Sequence, residues 1–247
     1  MTGLTVVIPA RNEAGRIGPA IRTVHALLED ARIEHRILVV DDASEDETGA
    51  EARALQSDHP VDVLRHDVAQ GKGAAVATGF RASDGAFCAF IDADLEFPPE
   101  ALVEMWQALH RRQRPGAACA VGERRVDERT FMERLSSHAA QAAIRMLTRL
   151  PVHDTQAGVK MFPGWFARDV LGTVSERGWL FDVEALLRAR SSGLAILPVA
   201  VRQQRLRPRR ASLAEFLRCG PVLLRLAWAS SRASFETAAA RDADETV

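Results

Sequence analysis

The feature that most constrains the fold is an alternation of short apolar runs with amphipathic helical patterns over residues 1–122. The apolar runs predict strands at Leu4–Ile8, Ile37–Val40, Val61–Leu64, Ala86–Ile91 and Ala117–Val121. The segments between them predict helices at Glu13–Glu29, Asp46–Gln56, Lys72–Ala82 and Pro99–Arg112. Such alternation is typical of an α/β fold with a mostly parallel sheet covered by helices on both faces. A ligand then binds at the carboxyl ends of the strands.

Three helix starts carry local signals. Asn12 is a candidate N-cap for the first helix. Ser44 and Glu47 have the spacing of a capping box before the second helix. Pro98 and Pro99 suit the first turn of the fourth.

The second half has a different, more helical pattern. It predicts helices at Thr130–Arg149, after Pro163 and near Phe181–Arg190, strands at Val159–Phe162 and Ala195–Val199, an arginine-rich loop over residues 201–210 and a last helix from about Ser212. We expect one domain over residues 1–235, made of two halves of different character, residues 1–122 and residues 123–235. Residues 236–247 are expected to be disordered.

The charge distribution matches this division. Residues 1–110 have a net charge of −10 and residues 111–235 a net charge of +12, within a total of −1. Such asymmetry indicates a cation site in the first half and an anionic partner for the second, unless the two halves simply neutralise each other. Only two of the 32 basic residues are lysine, Lys72 and Lys160, and composition bias accounts for the many arginines.

Composition and missing motifs exclude several classes. Three cysteines far apart indicate a reducing, cytoplasmic compartment, and we expect neither a signal peptide nor a membrane span. No GxGxxG follows a strand and no GxxxxGK[ST] occurs, which argues against a dinucleotide fold and a P-loop nucleotidase. The histidines and cysteines show no zinc-site spacing, and no nucleic-acid motif accompanies the arginines.

Acidic residues directly follow the fourth predicted strand. Asp92, Asp94 and Glu96 stand at alternate positions in the segment DADLE. Carboxylates so close repel one another unless a cation neutralises them, and an all-oxygen set suits Mg²⁺ or Mn²⁺. The alternative is a solvated acidic turn, which the position after a buried strand makes less attractive.

The segment GKGAA opens the third predicted helix. Its two glycines flank Lys72, so backbone N–H groups at a helix N-terminus could approach a phosphate. The alternative is an ordinary glycine-rich helix start.

Taken together and in order, the segments VVIPARNE, VVDDAS, GKGAA, FIDADLEFPPE, GER, DTQAGVKMF and WLFDVE resemble the family 2 glycosyltransferases. Among these the chain is similar to the hexosyltransferases that act on dolichyl and polyprenyl phosphate. The resemblance covers residues 4 to about 200 and implies a GT-A fold with inverting, metal-dependent transfer from UDP-glucose or GDP-mannose. It also implies that residues 1–122 form a nucleotide-sugar and metal-binding half and residues 123–235 a basic acceptor-binding half.

The resemblance also implies roles for individual residues. Pro9, Asn12 and Glu13 match the nucleotide-binding first loop. Asp42 matches the carboxylate that contacts the base or ribose, and Val40 and Asp41 lie beside it.

Asp92 and Asp94 match the family's DxD motif. The metal would be held by Asp94, by Glu96 where many relatives have Gln, and by the donor pyrophosphate; a carboxylate binds Mg²⁺ or Mn²⁺ at least as well as an amide.

Bond cleavage leaves a nucleoside diphosphate whose developing charge needs cationic partners. Lys72 and Arg124 are our candidates, with Arg125 and Arg129 as second choices that could equally be ordinary surface arginines.

The acceptor stays open between two chemistries. A polyprenyl phosphate is already an anion and needs positioning by cations but no general base. A soluble acceptor, such as a natural product or glycan, would need a base, for which Asp154, Asp182 and Glu184 are candidates. These acids could instead cap a loop or favour a helix N-terminus. A further alternative is a non-catalytic module that binds nucleotide-sugars.

The last predicted helix combines apolar residues with Arg218, Arg225 and Arg232 at seven-residue spacing. This pattern fits peripheral contact with an anionic membrane surface at the inner face of the cell membrane, or equally a helix packed on the domain.

Overall fold

The computed structural model describes residues 3–124, 142, 144–148, 150–152, 154–174, 176–178, 180–201, 220–226 and 228, with only the backbone of Arg124. These residues contain one seven-stranded sheet of order β3-β2-β1-β4-β6-β5-β7. The strands are β1 (Leu4–Ala10), β2 (His35–Asp41), β3 (Val61–Arg65), β4 (Phe87–Ile91), β5 (Ala118–Arg124), β6 (Val159–Pro163) and β7 (Ala195–Val201). Only β6 is antiparallel to its neighbours, β4 and β5, so the other strands of this sheet all end at the same edge.

Six helices accompany the sheet in the described residues. They are α1 (Ile17–Asp30), α2 (Thr48–Arg53), α3 (Lys72–Arg81), α4 (Glu100–His110), α5 (Gly164–Asp169) and α6 (Phe181–Ser191). Short 3₁₀ turns lie at Pro115–Ala117 and Leu171–Thr173, and residues 144–148 and 220–226 are also helical.

Helices cover both faces of the sheet, as predicted. Ile17, Ile21 and Leu28 of α1 and the apolar residues of α4 pack on one face. Phe80 of α3 and Phe181 of α6, together with residues of α5, pack on the other. Strands buried on both sides must be apolar almost continuously, which is why the sequence showed unbroken apolar runs rather than alternation.

A third apolar cluster joins α6 to the two short helical segments, residues 144–148 and 220–226. Ile144 and Leu223, from the two short helical segments, pack there with Val183 and Leu187 of α6. Four large apolar side chains of these segments remain exposed: Met146, Leu147, Leu224 and Trp228. Among the described residues, no helix is long and apolar enough to cross a membrane.

All seven predicted strands are present, with ends that differ by up to three residues. Two predictions of helix starts are wrong. The first helix begins at Ile17 rather than Glu13, since Asn12 has a left-handed φ of 54° and stands in a loop. Ser44 does not cap α2, whose N-cap is Glu47, because the Ser44 hydroxyl instead accepts the N–H of Asn12.

Several predictions fall outside the described residues. These are most of the helix at Thr130–Arg149, the arginine-rich loop, the start of the last helix and the tail after 235. The division into a donor half and an acceptor half stays a prediction.

Candidate functional site

The carboxyl edge of the sheet gathers the loops that the sequence singled out. The loops after β1, β2 and β4 each contain a non-glycine residue with positive φ: Asn12 at 54°, Ala43 at 54° and Leu95 at 49°. Such conformations cost free energy and persist where surrounding contacts impose them, often at binding sites. Because β6 is antiparallel, the loop over residues 154–158 that precedes it reaches the same edge.

The first two loops are joined by hydrogen bonds. The Asn12 N–H donates to the Ser44 hydroxyl at 3.0 Å, and the Asn12 side-chain oxygen accepts the Glu45 N–H at 2.9 Å. The Glu13 N–H donates to the Thr48 hydroxyl at 2.7 Å. Asn12 and Glu13 therefore hold the first loop against the second, and a role in nucleotide binding stays a prediction for both.

Asp42 lies in a buried hydrogen-bond network. Its Oδ1 accepts from the His66 ring at 2.7 Å and from the Gln70 N–H at 2.8 Å, and its Oδ2 accepts the Gly71 N–H at 2.8 Å. Burial alone would raise the pKa of Asp42, but these hydrogen bonds outweigh it and lower the pKa. Asp42 thus anchors the loop that leads into α3. The predicted contact with base or ribose would compete with these bonds.

The neighbours of Asp42 are also enclosed. Asp41 is fully buried, pairs with Arg65 and accepts the Ser44 N–H at 2.9 Å. The Val40 side chain packs in the core, so only its backbone could face a nucleotide. Pro9 lies opposite Val40 in the parallel pairing of β1 with β2.

The backbone N–H groups of both glycines of GKGAA have partners within the protein, with which the predicted contact to a phosphate would compete. The Gly71 N–H donates to Asp42, and the Gly73 N–H donates to the Arg177 carbonyl at 2.9 Å. Gly71 has φ of 97°, and a Cβ on Gly73 would lie 2.7 Å from the Glu176 carbonyl oxygen. Both glycine N–H groups are therefore occupied in this structure, and a role of the segment in phosphate binding stays a prediction.

Lys72 and the acidic segment after β4 come together. The Lys72 ammonium lies 2.6 Å from Asp92 Oδ1. Asp92 also touches the loop before β6, because its N–H donates to the Gly158 carbonyl at 3.1 Å and a Cβ on Gly158 would lie 2.3 Å from Asp92 Oδ2. Asp92 thus links β4, α3 and the loop over residues 154–158.

Asp94 and Glu96 are partly exposed beside this pair, and Asp94 Oδ1 accepts the Glu96 N–H at 3.1 Å. In the part of the chain that the structure describes, no three His, Cys, Asp or Glu side chains converge as a metal-binding group. Two partly exposed carboxylates fit a hard divalent cation that takes its other ligands from water and phosphate. Their role as metal ligands stays a prediction.

The second lysine of the chain is buried beside the loop over residues 154–158. Lys160, in β6, is fully buried, and its ammonium donates to the Ala157 carbonyl at 2.7 Å and to Asp182 Oδ1 at 2.5 Å. Both lysine ammonium groups lie 5.3 Å from the centroid of the Phe90 ring. Burial lowers the pKa of Lys160, although the Asp182 carboxylate opposes that shift.

The three candidate bases differ in their surroundings. Asp182 is buried against Lys160, and removing its negative charge would leave that ammonium uncompensated. Glu184 is buried against Arg188 and accepts the Glu176 N–H at 2.8 Å. Asp154 is 8% exposed and accepts the Gln156 N–H at 3.1 Å. The geometry therefore disfavours Asp182 and Glu184 as bases.

The arginine candidates give little structural information. The backbone of Arg124 ends β5 at the same edge of the sheet, and Arg125 and Arg129 lie outside the described residues. Sequence reasoning missed His66 and underrated Lys160. The only signal available for Lys160 was its position as one of two lysines, inside a matched motif.

Comparisons with known proteins agree with the observed fold. Residues 5–169 match the model of glycosyl transferase family 2. The chain is 28% identical over 215 residues to a dolichyl-phosphate beta-glucosyltransferase of Dictyostelium discoideum, covering 80% of this chain and 65% of that protein. It is 29% identical over 207 residues to a polyprenol monophosphomannose synthase of Mycolicibacterium smegmatis, covering 79% and 75%. The chain thus spans just under two thirds of the Dictyostelium protein.

Among solved structures, the fold resembles a glucosyl-3-phosphoglycerate synthase from Mycobacterium tuberculosis in complex with Mn²⁺, UDP-glucose and phosphoglyceric acid. The TM-score is 0.65 at 21% identity, over 90% of this chain and 78% of that one. At this identity the likeness shows the fold alone, which is GT-A. With the family match extending over most of the described sheet, the chain belongs to glycosyltransferase family 2.

Proposed function

We propose that this protein transfers a hexose from a nucleotide-sugar to a polyprenyl phosphate. The observation that carries the proposal is the juxtaposition of Lys72, Asp92, Asp94 and Glu96 where β4 ends and α3 begins. Cleavage of a sugar–phosphate bond releases a nucleoside diphosphate, whose charge needs a cation and ammonium donors placed in advance. This edge of the sheet offers both a lysine and carboxylates able to hold a metal ion.

Asp94 and Glu96 are the residues that would hold Mg²⁺ or Mn²⁺, together with oxygens of the donor diphosphate. When bound, the ion supplies Lewis-acid stabilisation of the leaving diphosphate. Asp92 holds Lys72 at the start of α3, so the ammonium stands at the same edge of the sheet. Asp42 holds the loop ahead of α3 through Gln70 and Gly71.

With an anionic acceptor, the buried carboxylates of Asp182 and Glu184 can form ion pairs without any loss of catalytic function. A phosphate oxygen attacks the anomeric carbon from the face opposite the diphosphate, the carbon–oxygen bond to the diphosphate breaks, and no proton needs removal. Asp182 and Glu184 are bound to Lys160 and Arg188 and are not required. The two relatives named for dolichyl-phosphate and polyprenol substrates support this acceptor class.

We also propose that the C-terminal part touches the membrane that contains the acceptor, at its cytoplasmic face. Met146 and Leu147 on one short helix and Leu224 and Trp228 near the other expose apolar surface, and Arg225 lies exposed beside them. Apolar side chains flanked by arginine suit an interface with anionic lipid.

The test is transfer from radiolabelled UDP-glucose or GDP-mannose to polyprenyl phosphate with Mg²⁺ or Mn²⁺, followed by extraction into organic solvent. We expect label in the lipid phase with one donor and loss of at least 100-fold for Asp94→Ala, whereas the exposed carboxylate variant Asp58→Ala keeps its activity. Donor binding without any labelled lipid would reject the lipid acceptor. Unchanged transfer by Asp94→Ala would reject the proposed metal site.

A further inference from the structure

Lys160 is a charge in the core for which the proposed reaction has no direct use. It lies between Phe90 of β4 and Val121 of β5 in the sheet, and no part of it is exposed. Replacing a buried ion pair by apolar residues of similar size is often neutral or stabilising, because burying two charges is costly even when they pair. Stability alone therefore gives no reason for a lysine here.

The contacts of the Lys160 ammonium join two segments that are distant in sequence. Through the Ala157 carbonyl it holds the loop over residues 154–158, and through Asp182 it holds the first turn of α6. The same loop contacts the donor side, since Gly158 accepts the Asp92 N–H and leaves room for the Asp92 carboxylate. The loop over residues 154–158 thus contacts both Lys160 and Asp92, the carboxylate that pairs with Lys72.

We propose that Lys160 is a positioning residue that fixes the loop over residues 154–158 and the start of α6 relative to Asp92. The loop and α6 lie in the half that we expect to bind the acceptor, so Lys160 would set the geometry of the acceptor against the donor. This role rests on the proposed transfer reaction. Asp182 is then the counterion of a positioning lysine and not a base.

A neutral pair separates positioning from charge balance. Lys160→Met alone leaves the Asp182 carboxylate buried without its partner, so we expect both a lower melting temperature and slower transfer. Lys160→Met with Asp182→Leu removes both charges and should recover the melting temperature. If Lys160 positions the loop, the double variant still loses about 10- to 100-fold in kcat while its Kd for UDP or GDP with Mg²⁺ changes less than about threefold.

The matched control removes the partly exposed cation of another ion pair on the same helix. Arg188→Met leaves Glu184 without its partner but touches neither Asp182 nor the loop, so kcat should stay within about twofold of the wild type. Recovery of kcat together with melting temperature in the double variant would overturn the proposal, as would an equal loss of kcat in Arg188→Met.

Hydrogen exchange gives a readout that needs no acceptor. In the double variant we expect faster amide exchange confined to residues 154–158 and 180–184, with the rest of the described sheet unchanged. Unchanged exchange in these two segments overturns the positioning role. Absence of transfer by the wild-type protein would instead reject the proposed function and leave the exchange measurement to decide on Lys160.

Discussion

Gly158 is the position where one methyl group would move a carboxylate of the candidate site. A Cβ there would lie 2.3 Å from Asp92 Oδ2 and 2.9 Å from Asp92 Cγ, whereas ordinary contacts begin at 3.4 Å. The Asp92 carboxylate in Gly158→Ala must therefore retreat by about 1 Å, a shift of the size that costs about 100-fold in catalysis. Such a shift would also displace the Asp92 Oδ1 that lies 2.6 Å from the Lys72 ammonium.

The expected effects follow from this displacement. Loss of about 100-fold in kcat/KM corresponds to about 2.7 kcal/mol of transition-state stabilisation. Overpacking adds a stability cost of about 1–3 kcal/mol, or a melting temperature lower by about 2–12 °C for a domain of this size. The effect on catalysis is thus about as large as the upper end of the effect on folding, because the displaced carboxylate belongs to the site.

The assay compares Gly158→Ala with Gly116→Ala by calorimetric titration of UDP and GDP with Mg²⁺, by transfer kinetics and by thermal unfolding. A Cβ on Gly116 meets nothing within 4 Å, so this variant controls for the general effect of replacing glycine by alanine. If Gly158→Ala binds nucleotide and transfers sugar within about threefold of Gly116→Ala, the reasoning about Asp92 is refuted.

Three further predictions concern packing, pH and metal. Gly79→Ala should lower the free energy of unfolding in urea by about 1–3 kcal/mol, because its Cβ would lie 2.4 Å from Val7 Cγ1. Adding Val7→Ala should recover much of this loss. If the destabilisations of the two single variants simply add in the double variant, the contact does not explain the loss. Burial, then the neighbouring imidazoles of His35 and His59, lower the pKa of His25 from 6.5, so the folded state binds fewer protons than the unfolded chain. The contribution of neutral His25 to stability is complete above pH 6.5 and is lost as the pH falls below 6.5. The melting temperature of His25→Asn should therefore change less between pH 7.5 and 5.5 than that of the wild type. An unchanged pH dependence would contradict the lowered pKa of His25. Chelation of divalent cations should abolish transfer and added Mg²⁺ or Mn²⁺ should restore it, whereas full activity after chelation would exclude a metal requirement.

Much of the fold could be predicted because its signals are local. Strands buried on both faces appear as apolar runs, and their order along the chain with helices between them predicts a largely parallel sheet. The position of the acidic residues after β4 could be predicted as well, because the segments that follow parallel strands all lie at the carboxyl edge of the sheet. Helix starts were predicted less well, because Ser44 and Asn12 form hydrogen bonds with each other's loops rather than with the helices that follow them.

The candidate site likewise combines features that the local sequence predicts with features that depend on the tertiary structure. From the sequence alone came the residue types and their edge of the sheet: Lys72, Asp92, Asp94 and Glu96, with the family to which their motifs point. Only the tertiary structure decided which of these groups already have partners. Asp182 pairs with Lys160 across 22 residues, and the antiparallel β6 brings the loop before it to the carboxyl edge of β4. Such pairings depend on strand order and direction, which no local pattern contains, because they arise only when distant segments pack against the same core.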